Sequence, residues 1–93
     1  MYDYIPEVVQ VIPFEDYTVH IYFDDGKITC FDAKKDLHQN LLKVVAPIFI
    51  ERCTVMNGTL AWDVSGVRNY YECIDIDPIV LHELPAIKEV APE

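Results

Sequence analysis

Alternating apolar and polar positions in the first third of the chain predict β-hairpins. Residues 7–13 are rich in Val and Ile, which favour a strand. Residues 17–23 alternate with a period of two, as expected of a strand with one buried face, and a further strand is predicted at residues 27–32. The apolar face of the 17–23 segment carries four side chains: Tyr17, Val19, Ile21 and Phe23.

The pair Asp25-Gly26 predicts a tight turn, because a type I′ hairpin turn needs positive φ at both central residues and these residue types tolerate it. A two-residue loop at this pair fixes the register by counting, and it places His20 opposite Phe31. Cys30 then lies on the other face of the hairpin from His20, since successive side chains of a strand alternate.

A second hairpin is predicted further along the chain. Asn57-Gly58 is a turn signal of the same kind, between strands at residues 53–56 and 59–63. A short alternating run at residues 73–76 predicts one more strand. The strands are therefore predicted to form antiparallel hairpins.

One amphipathic helix is predicted over residues 36–46. Asp36 is a candidate cap, and Pro47 limits the helix because the residue before a proline, Ala46, is disfavoured in helical conformation. Apolar residues recur at spacings near one helical turn and define its expected core face: Leu37, Leu41, Val44, Val45 and Ile48.

A second short helix is predicted at residues 78–83, capped by Asp77. The predicted fold class is therefore α+β, with antiparallel hairpins and one or two short helices. A chain of 93 residues forms one domain, so residues 1–93 are a single unit. Its core is expected at residues 7–83, and residues 84–93 are expected to fray.

The charge balance excludes some classes of partner. Sixteen acidic residues face seven basic ones, for a net charge of −9. Nucleic-acid binding depends on clustered Lys and Arg, whereas the one adjacent basic pair here is Lys34-Lys35. An anionic membrane surface would be repelled for the same reason. We therefore expect no direct nucleic-acid partner and no membrane partner.

The cysteines and the N-terminus indicate the compartment. Cys30, Cys53 and Cys73 are widely spaced and form no C-x-x-C motif, which is typical of reduced thiols in a cytoplasmic protein. The N-terminus lacks the basic and long apolar regions of a signal peptide. The expected localisation is cytoplasmic.

Two combinations of side chains offer enzymatic or metal chemistry. A Cys–His nucleophile pair needs hydrogen-bond reach, which the predicted register denies to His20 and Cys30. Asp75, Asp77 and His82 supply oxygen and imidazole, but their spacing matches no zinc or calcium pattern. We therefore predict no catalytic, cofactor-binding or metal-binding residue and no cofactor. Metal binding by His82 with the two aspartates stays open.

Aromatic residues offer a candidate interaction surface. Trp62 is either a core residue or a binding-site aromatic, and a lone Trp on a strand is more often core. Arg68, Tyr70 and Tyr71 are of the types enriched in interface cores, so they form our candidate interaction surface. The alternative is that one tyrosine packs inward and the other is ordinary surface.

Three motifs occur in a specific order: F-D-D-G-K at residues 23–27 with F-D at 31–32, N-G-T-L-A-W at 57–62, and I-D-I-D-P at 74–78. In this order they resemble the small bacterial family known as domain of unknown function 2442, over residues 8–83. The resemblance implies a compact α+β domain and carries no established activity. Some members are joined to a helix-turn-helix DNA-binding domain, which implies a regulatory or toxin–antitoxin-like role by analogy.

The leading functional hypothesis is a non-enzymatic protein-interaction domain that uses its sheet edges and the candidate interaction surface. The partner is expected to be a second copy, as a homodimer, or a small protein encoded nearby. One alternative is an antitoxin-like or regulatory partner of a basic protein, for which the negative charge is suited. Another is a small-molecule-binding protein or an enzyme of unknown activity.

Overall fold

Two three-stranded antiparallel sheets form the framework of the computed structural model, which describes residues 5–68 and 73–88. Both sheets follow the order of the chain. The first contains β1 (Val8–Pro13), β2 (Thr18–Phe23) and β3 (Ile28–Asp32). The second contains β4 (Cys53–Met56), β5 (Thr59–Asp63) and β6 (Cys73–Asp75). Each predicted strand lies within one residue of its predicted ends.

Short helical segments complete the α+β fold and confirm the predicted class: α1 (Ala33–Asp36), α2 (Gln39–Val45), a 3₁₀ turn (Ala46–Ile48) and α3 (Pro78–His82). The start of α3 is as predicted. Asp77 Oδ1 accepts a hydrogen bond from the Ile79 amide at 2.9 Å, and Pro78 occupies the first turn. Within the described ranges, none of these helices is long and apolar enough to cross a membrane.

The predicted register of the β2–β3 hairpin is wrong by one residue. The Phe23 amide donates to the Lys27 carbonyl, and the Gly26 amide donates to the Phe23 carbonyl, both at 3.0 Å, so the loop has three residues. Gly26 (φ 90°) is the one loop residue with positive φ, whereas a type I′ turn needs two. The extra loop residue brings His20 directly opposite Cys30, on the same face of the sheet.

The β4–β5 turn has the predicted two-residue geometry. Asn57 (φ 53°) and Gly58 (φ 72°) both have positive φ, and Met56 pairs with Thr59. The Gly58 carbonyl accepts a hydrogen bond from the Val8 amide at 2.8 Å. This bond ties the tip of the second hairpin to the start of β1 and joins the two sheets.

The helix predicted over residues 36–46 is confirmed at residues 39–45, but it does not begin at residue 36, because the chain is interrupted at Leu37 and His38. Leu37 has extended backbone (φ −97°, ψ 139°). The helix restarts where His38 Nδ1 accepts a hydrogen bond from the Asn40 amide at 3.2 Å. An imidazole nitrogen therefore caps this helix, in place of the hydroxyl or carboxylate oxygen that more commonly does so.

The interruption changes which side chains of α2 face the core. Val45 is fully buried, and Leu42 packs against the core one turn earlier. Leu41 and Val44, predicted on the core face, are instead among the exposed apolar residues. The extended residue between the helices resets the helical phase, so positions before and after it do not share one face.

α2 ends at Val45, within one residue of the predicted end, but the cap predicted at Asp36 and the non-helical conformation predicted for Ala46 are wrong. Asp36 lies at the end of α1, whose cap is Asp32, with Oδ1 accepting from the Lys34 amide at 3.0 Å. Ala46 keeps helical backbone (φ −53°, ψ −46°) although it precedes Pro47. The proline lies in the first turn of the 3₁₀ segment, where a backbone N–H has no partner within the helix, so the missing N–H of proline costs no hydrogen bond.

Residues 84–88, the described part of the segment expected to fray, contact the edge of the first sheet. The Ile87 amide donates to the Ile28 carbonyl at 2.8 Å, and Ala86 forms a β-bridge with Thr29. The outer edge of β3 offers unpaired backbone groups, and this segment satisfies some of them.

Trp62 is a core residue, as was expected of a lone Trp on a strand. It is fully buried on β5, and its Nε1 donates to the Phe49 carbonyl at 3.1 Å. Its ring contacts Phe49 (centroids 5.4 Å apart) and Phe31 (6.4 Å). The indole therefore joins the second sheet to the first and to the segment after α2.

Candidate functional site

An open groove lies between the β1–β2 loop and the 3₁₀ turn after α2. Its volume is about 340 Å³. Its lining is mostly apolar and includes three aromatic rings, so we name it the aromatic groove: Phe14, Glu15, Tyr17, Ala46, Pro47, Phe49, Ile50 and Glu51. The two walls come from segments about thirty residues apart, which the fold brings together.

The β1–β2 loop repeats the three-residue geometry of the next hairpin, with one difference. The Phe14 amide donates to the Thr18 carbonyl at 2.8 Å, and the Tyr17 amide donates to the Phe14 carbonyl at 3.1 Å. Tyr17 therefore occupies the left-handed position (φ 66°) that Gly26 occupies in the β2–β3 loop. A bulky residue with this conformation costs about 1–2 kcal/mol, and such strain persists only where surrounding contacts hold it.

Contacts on several sides hold Tyr17 in this conformation. Its ring meets the Phe49 ring edge-on, with centroids 5.2 Å apart. Its carbonyl accepts a hydrogen bond from the Ala33 amide at 2.9 Å, and the Lys34 Nζ lies 5.9 Å from its ring centroid. The ring of a strained residue thus forms part of the groove.

Asp16 fixes the loop beside Tyr17. Its Oδ1 accepts hydrogen bonds from the Thr18 hydroxyl at 2.6 Å and from the Thr18 amide at 3.2 Å. The Thr18 hydroxyl is the main cause that lowers the pKa of this carboxyl below its ordinary value of 3.8. Asp16 is therefore an ionised structural residue at neutral pH.

The opposite wall is anchored in the core. Phe49 is buried, and its carbonyl accepts from Trp62 Nε1, so the floor of the groove is held by the central tryptophan. Pro47 and Ile50 on either side of it in sequence are exposed. The groove thus combines a fixed aromatic floor with exposed apolar edges.

The charged groups that line the aromatic groove are both carboxylates, Glu15 and Glu51, and both side chains are exposed. Its described lining contains no Lys or Arg. The site is therefore apolar at its floor and negative at its rim.

A smaller, polar cavity of about 220 Å³ lies near Arg68, one of the predicted interaction residues. The Arg68 amide donates to Asp63 Oδ2 at 2.8 Å, and its guanidinium donates to Thr54 Oγ1 and to the Val55 carbonyl, both at 3.2 Å. Arg68 is thus tied to β4 rather than projecting alone. The other two predicted residues, Tyr70 and Tyr71, lie outside the described residues.

The corrected register removes the reason given against a His20–Cys30 pair, since the two residues are cross-strand neighbours. Their chemistry nevertheless disfavours a nucleophile. Burial, and then the negative charges of Asp16, Asp32 and Asp36, raise the pKa of the Cys30 thiol. The His20 ring instead packs edge-on against Phe14, with centroids 4.6 Å apart.

Cys53 is a still weaker nucleophile. Burial raises the pKa of its thiol to about 12, so the thiolate is scarce at neutral pH.

His82 pairs with a residue that the sequence did not indicate. Its Nε2 lies 2.9 Å from Oδ2 of Asp25, in the β2–β3 loop, while Asp77 caps α3. In residues 5–68 and 73–88, no group of three or more His, Cys, Asp or Glu side chains could hold a metal ion. Two of the three candidate metal ligands are thus engaged in other contacts: His82 with Asp25, and Asp77 with the Ile79 amide.

Comparisons with protein-family models, with curated proteins and with solved structures find no match. The resemblance to domain of unknown function 2442 accordingly stays a prediction that rests on its motifs.

The aromatic groove was missed by reasoning from the sequence. Its two walls are Phe14 to Tyr17 and Ala46 to Glu51, and each looks locally like a connecting segment. The one available signal was a tight β1–β2 connection without glycine, which forces another residue into positive φ. Pairing that loop with the segment after α2 needs the tertiary fold.

Proposed function

We propose that this chain is a non-enzymatic protein-interaction domain whose contact surface is the aromatic groove. The observation that carries the proposal is that apolar side chains at the edges of the groove are exposed to solvent, whereas the aromatic side chain at its floor is buried. Phe14 and Ile50 are 38% and 50% exposed, whereas Phe49 is 3% exposed. Exposed apolar surface that lines a groove on a small domain is typical of a site where another molecule binds.

The outward face of α2 adds to this support. Leu41 and Val44 are 39% and 47% exposed, and α2 leads directly into Ala46 and Pro47 in the groove wall. Protein interfaces combine such apolar and aromatic groups, whereas a small-molecule site is usually more enclosed. A protein partner therefore fits this surface better than a small ligand.

The outer edges of β3 and β4 are weaker choices for the contact surface than the groove. Ile87 already bonds to the edge of β3 at Ile28, and Arg68 bonds to β4 at Val55. These contacts occupy backbone groups that an added strand would need. The interaction surface predicted at Arg68, Tyr70 and Tyr71 stays a separate proposal.

The partner is either a second copy of the chain or a different protein. Both forms are compatible with an antitoxin-like or regulatory role, which the family resemblance implies. They differ in whether the purified chain associates with itself.

The substitution Ile50→Ser tests the proposal, because it removes an exposed apolar group from the groove without opening the core. The matched control is Val80→Ser, which changes a similarly exposed residue (53%) on α3. Light scattering after size exclusion measures self-association, and affinity co-purification from the producing cells measures a different partner. We expect Ile50→Ser alone to lose the complex, with both variants keeping the wild-type Tm.

Equal behaviour of the two variants would contradict the groove as the contact surface. Two results together would contradict the proposal altogether. The wild-type chain would stay monomeric, and it would bind no partner whose binding is lost in Ile50→Ser.

A further inference from the structure

We infer that the aromatic groove binds a lysine or arginine side chain from a basic segment of a partner protein. This inference rests on the proposed function and specifies the chemistry of the partner. The apolar stem of the side chain would lie on the aromatic floor, with its charged end toward the acidic rim. The rings, the carboxylates and the size of the groove each favour such an occupant.

The rings supply the first part of the recognition. Phe14, Tyr17 and Phe49 line one groove, and an aromatic face attracts a cation within about 6 Å of its centroid. Lys34 already places its ammonium 5.9 Å from the Tyr17 centroid, so this ring accepts a cation within the chain itself. Long basic side chains also bury their methylene stems along apolar surface while the charge stays in water.

The carboxylates of Glu15 and Glu51 supply the second part. No Lys or Arg is among the residues described in the groove lining, so an incoming cation meets two carboxylates that the lining itself does not neutralise. The net charge of −9 adds a long-range field that attracts basic partners and repels acidic ones. A neutral apolar segment would use the floor but would gain nothing from this rim.

The size of the groove limits the occupant. Its volume of about 340 Å³ is at the lower end of ligand pockets, which span roughly 300–1,000 Å³. A groove this small and open suits one anchoring side chain with its neighbouring backbone. The partner is therefore recognised through a protruding basic residue.

Calorimetric titration of the full chain with defined peptides tests the inference. The probes are a capped peptide of alternating lysine and serine, the same peptide with norleucine for lysine, and the same peptide with glutamate. Norleucine keeps the apolar stem and removes the charge. We expect the affinity to decrease in the order lysine peptide, norleucine peptide, glutamate peptide. The affinity for the lysine peptide should also decrease as the salt concentration is raised from about 50 to about 500 mM, because salt screens the charges.

Two groove variants separate the rings from the carboxylates. Phe14→Leu keeps apolar volume but removes an aromatic face. We expect it to lower the affinity for the lysine peptide about two- to fivefold and the affinity for the norleucine peptide by less. The double variant Glu15→Gln with Glu51→Gln should lower the affinity for the lysine peptide about three- to tenfold. It should also reduce the dependence of that affinity on salt concentration. The matched control, Asp75→Asn with Glu83→Gln, makes the same change in net charge at exposed positions outside the groove lining.

Each remaining outcome decides between the proposals. If the norleucine peptide binds as tightly as the lysine peptide and Ile50→Ser abolishes both, the interaction domain stands and the basic occupant is refuted. If the control pair weakens binding as much as the groove pair, attraction is global and the inference fails. If no peptide binds, the inference fails, and the Ile50→Ser experiment alone decides the proposed function.

Discussion

Two residues in equivalent loop positions show how one backbone conformation serves two purposes. Gly26 and Tyr17 both have positive φ in three-residue hairpin loops. Space around Gly26 is open, since no heavy atom lies within 4 Å of where a Cβ would be. Tyr17 accepts the strain that Gly26 avoids, and its ring forms part of the aromatic groove. Strain retained at a groove is a reason to expect function there.

Replacing Gly26 with alanine measures the backbone term alone, because an added methyl meets no neighbour. We expect Gly26→Ala to lower the free energy of unfolding by about 1–2 kcal/mol, from the left-handed conformation of an L-residue. Urea denaturation measures it. Gly26→Asn is the control, and it should lose less because asparagine tolerates positive φ. An alanine variant as stable as wild type would show that the loop relaxes to another turn.

At the scale of elements, the β2–β3 hairpin is clasped to α3 by polar contacts. Asp25 pairs with His82, and the Lys27 ammonium donates to the His82 carbonyl. Thr29 Oγ1 donates to the Leu81 carbonyl at 3.0 Å, which satisfies an end carbonyl of α3. These contacts hold a helix of five residues that would be unstable alone.

The clasp predicts a specific acid sensitivity. The Lys27 amide, and then His82, lower the pKa of Asp25 below its ordinary value of 3.8. A carboxyl with a depressed folded-state pKa contributes stability above its unfolded-state pKa, and that contribution is lost as pH falls through the folded-state pKa. We expect Asp25→Asn to lower stability at neutral pH and to flatten the loss of stability below about pH 4.

Unfolding measured across the acid range checks this expectation against Asp75→Asn, which changes an exposed carboxyl on β6. The control should keep the wild-type slope. An unchanged slope in Asp25→Asn would mean that the clasp does not respond to the charge of Asp25.

The elements also show what local sequence can predict. The strands and the Asn57-Gly58 turn were predicted within a residue, because alternation and turn chemistry act between near neighbours. The Asp25-Gly26 turn was misread, since the same pair also fits a three-residue loop with one left-handed residue. The break at His38 was missed because apolar spacing continued across it.

At the scale of the whole molecule, the site depends on tertiary structure. Trp62 was predicted as core, and it is the residue that anchors the groove floor through Phe49. The groove itself joins Phe14 and Tyr17 to the segment after α2, a pairing that no periodicity encodes. The sequence therefore predicted the core residue that anchors the groove but did not predict the groove itself.

The charge of the molecule belongs to the same scale. A net charge of −9 disfavours nucleic acid as a partner and suits a basic protein, and both expectations come from the sequence alone. The acidic rim of the aromatic groove gives that general attraction a specific place. The long-range negative field and the groove together favour the binding of a basic side chain there.

Backbone NMR of the labelled chain, titrated with the alternating lysine–serine peptide, shows where on the molecule a basic side chain binds. We predict that the largest amide shifts fall on residues 14–17 and 46–51, and that residues of α3 and β6 change little. Shifts that are largest on α3 or β6, or spread evenly over the acidic surface, would contradict it.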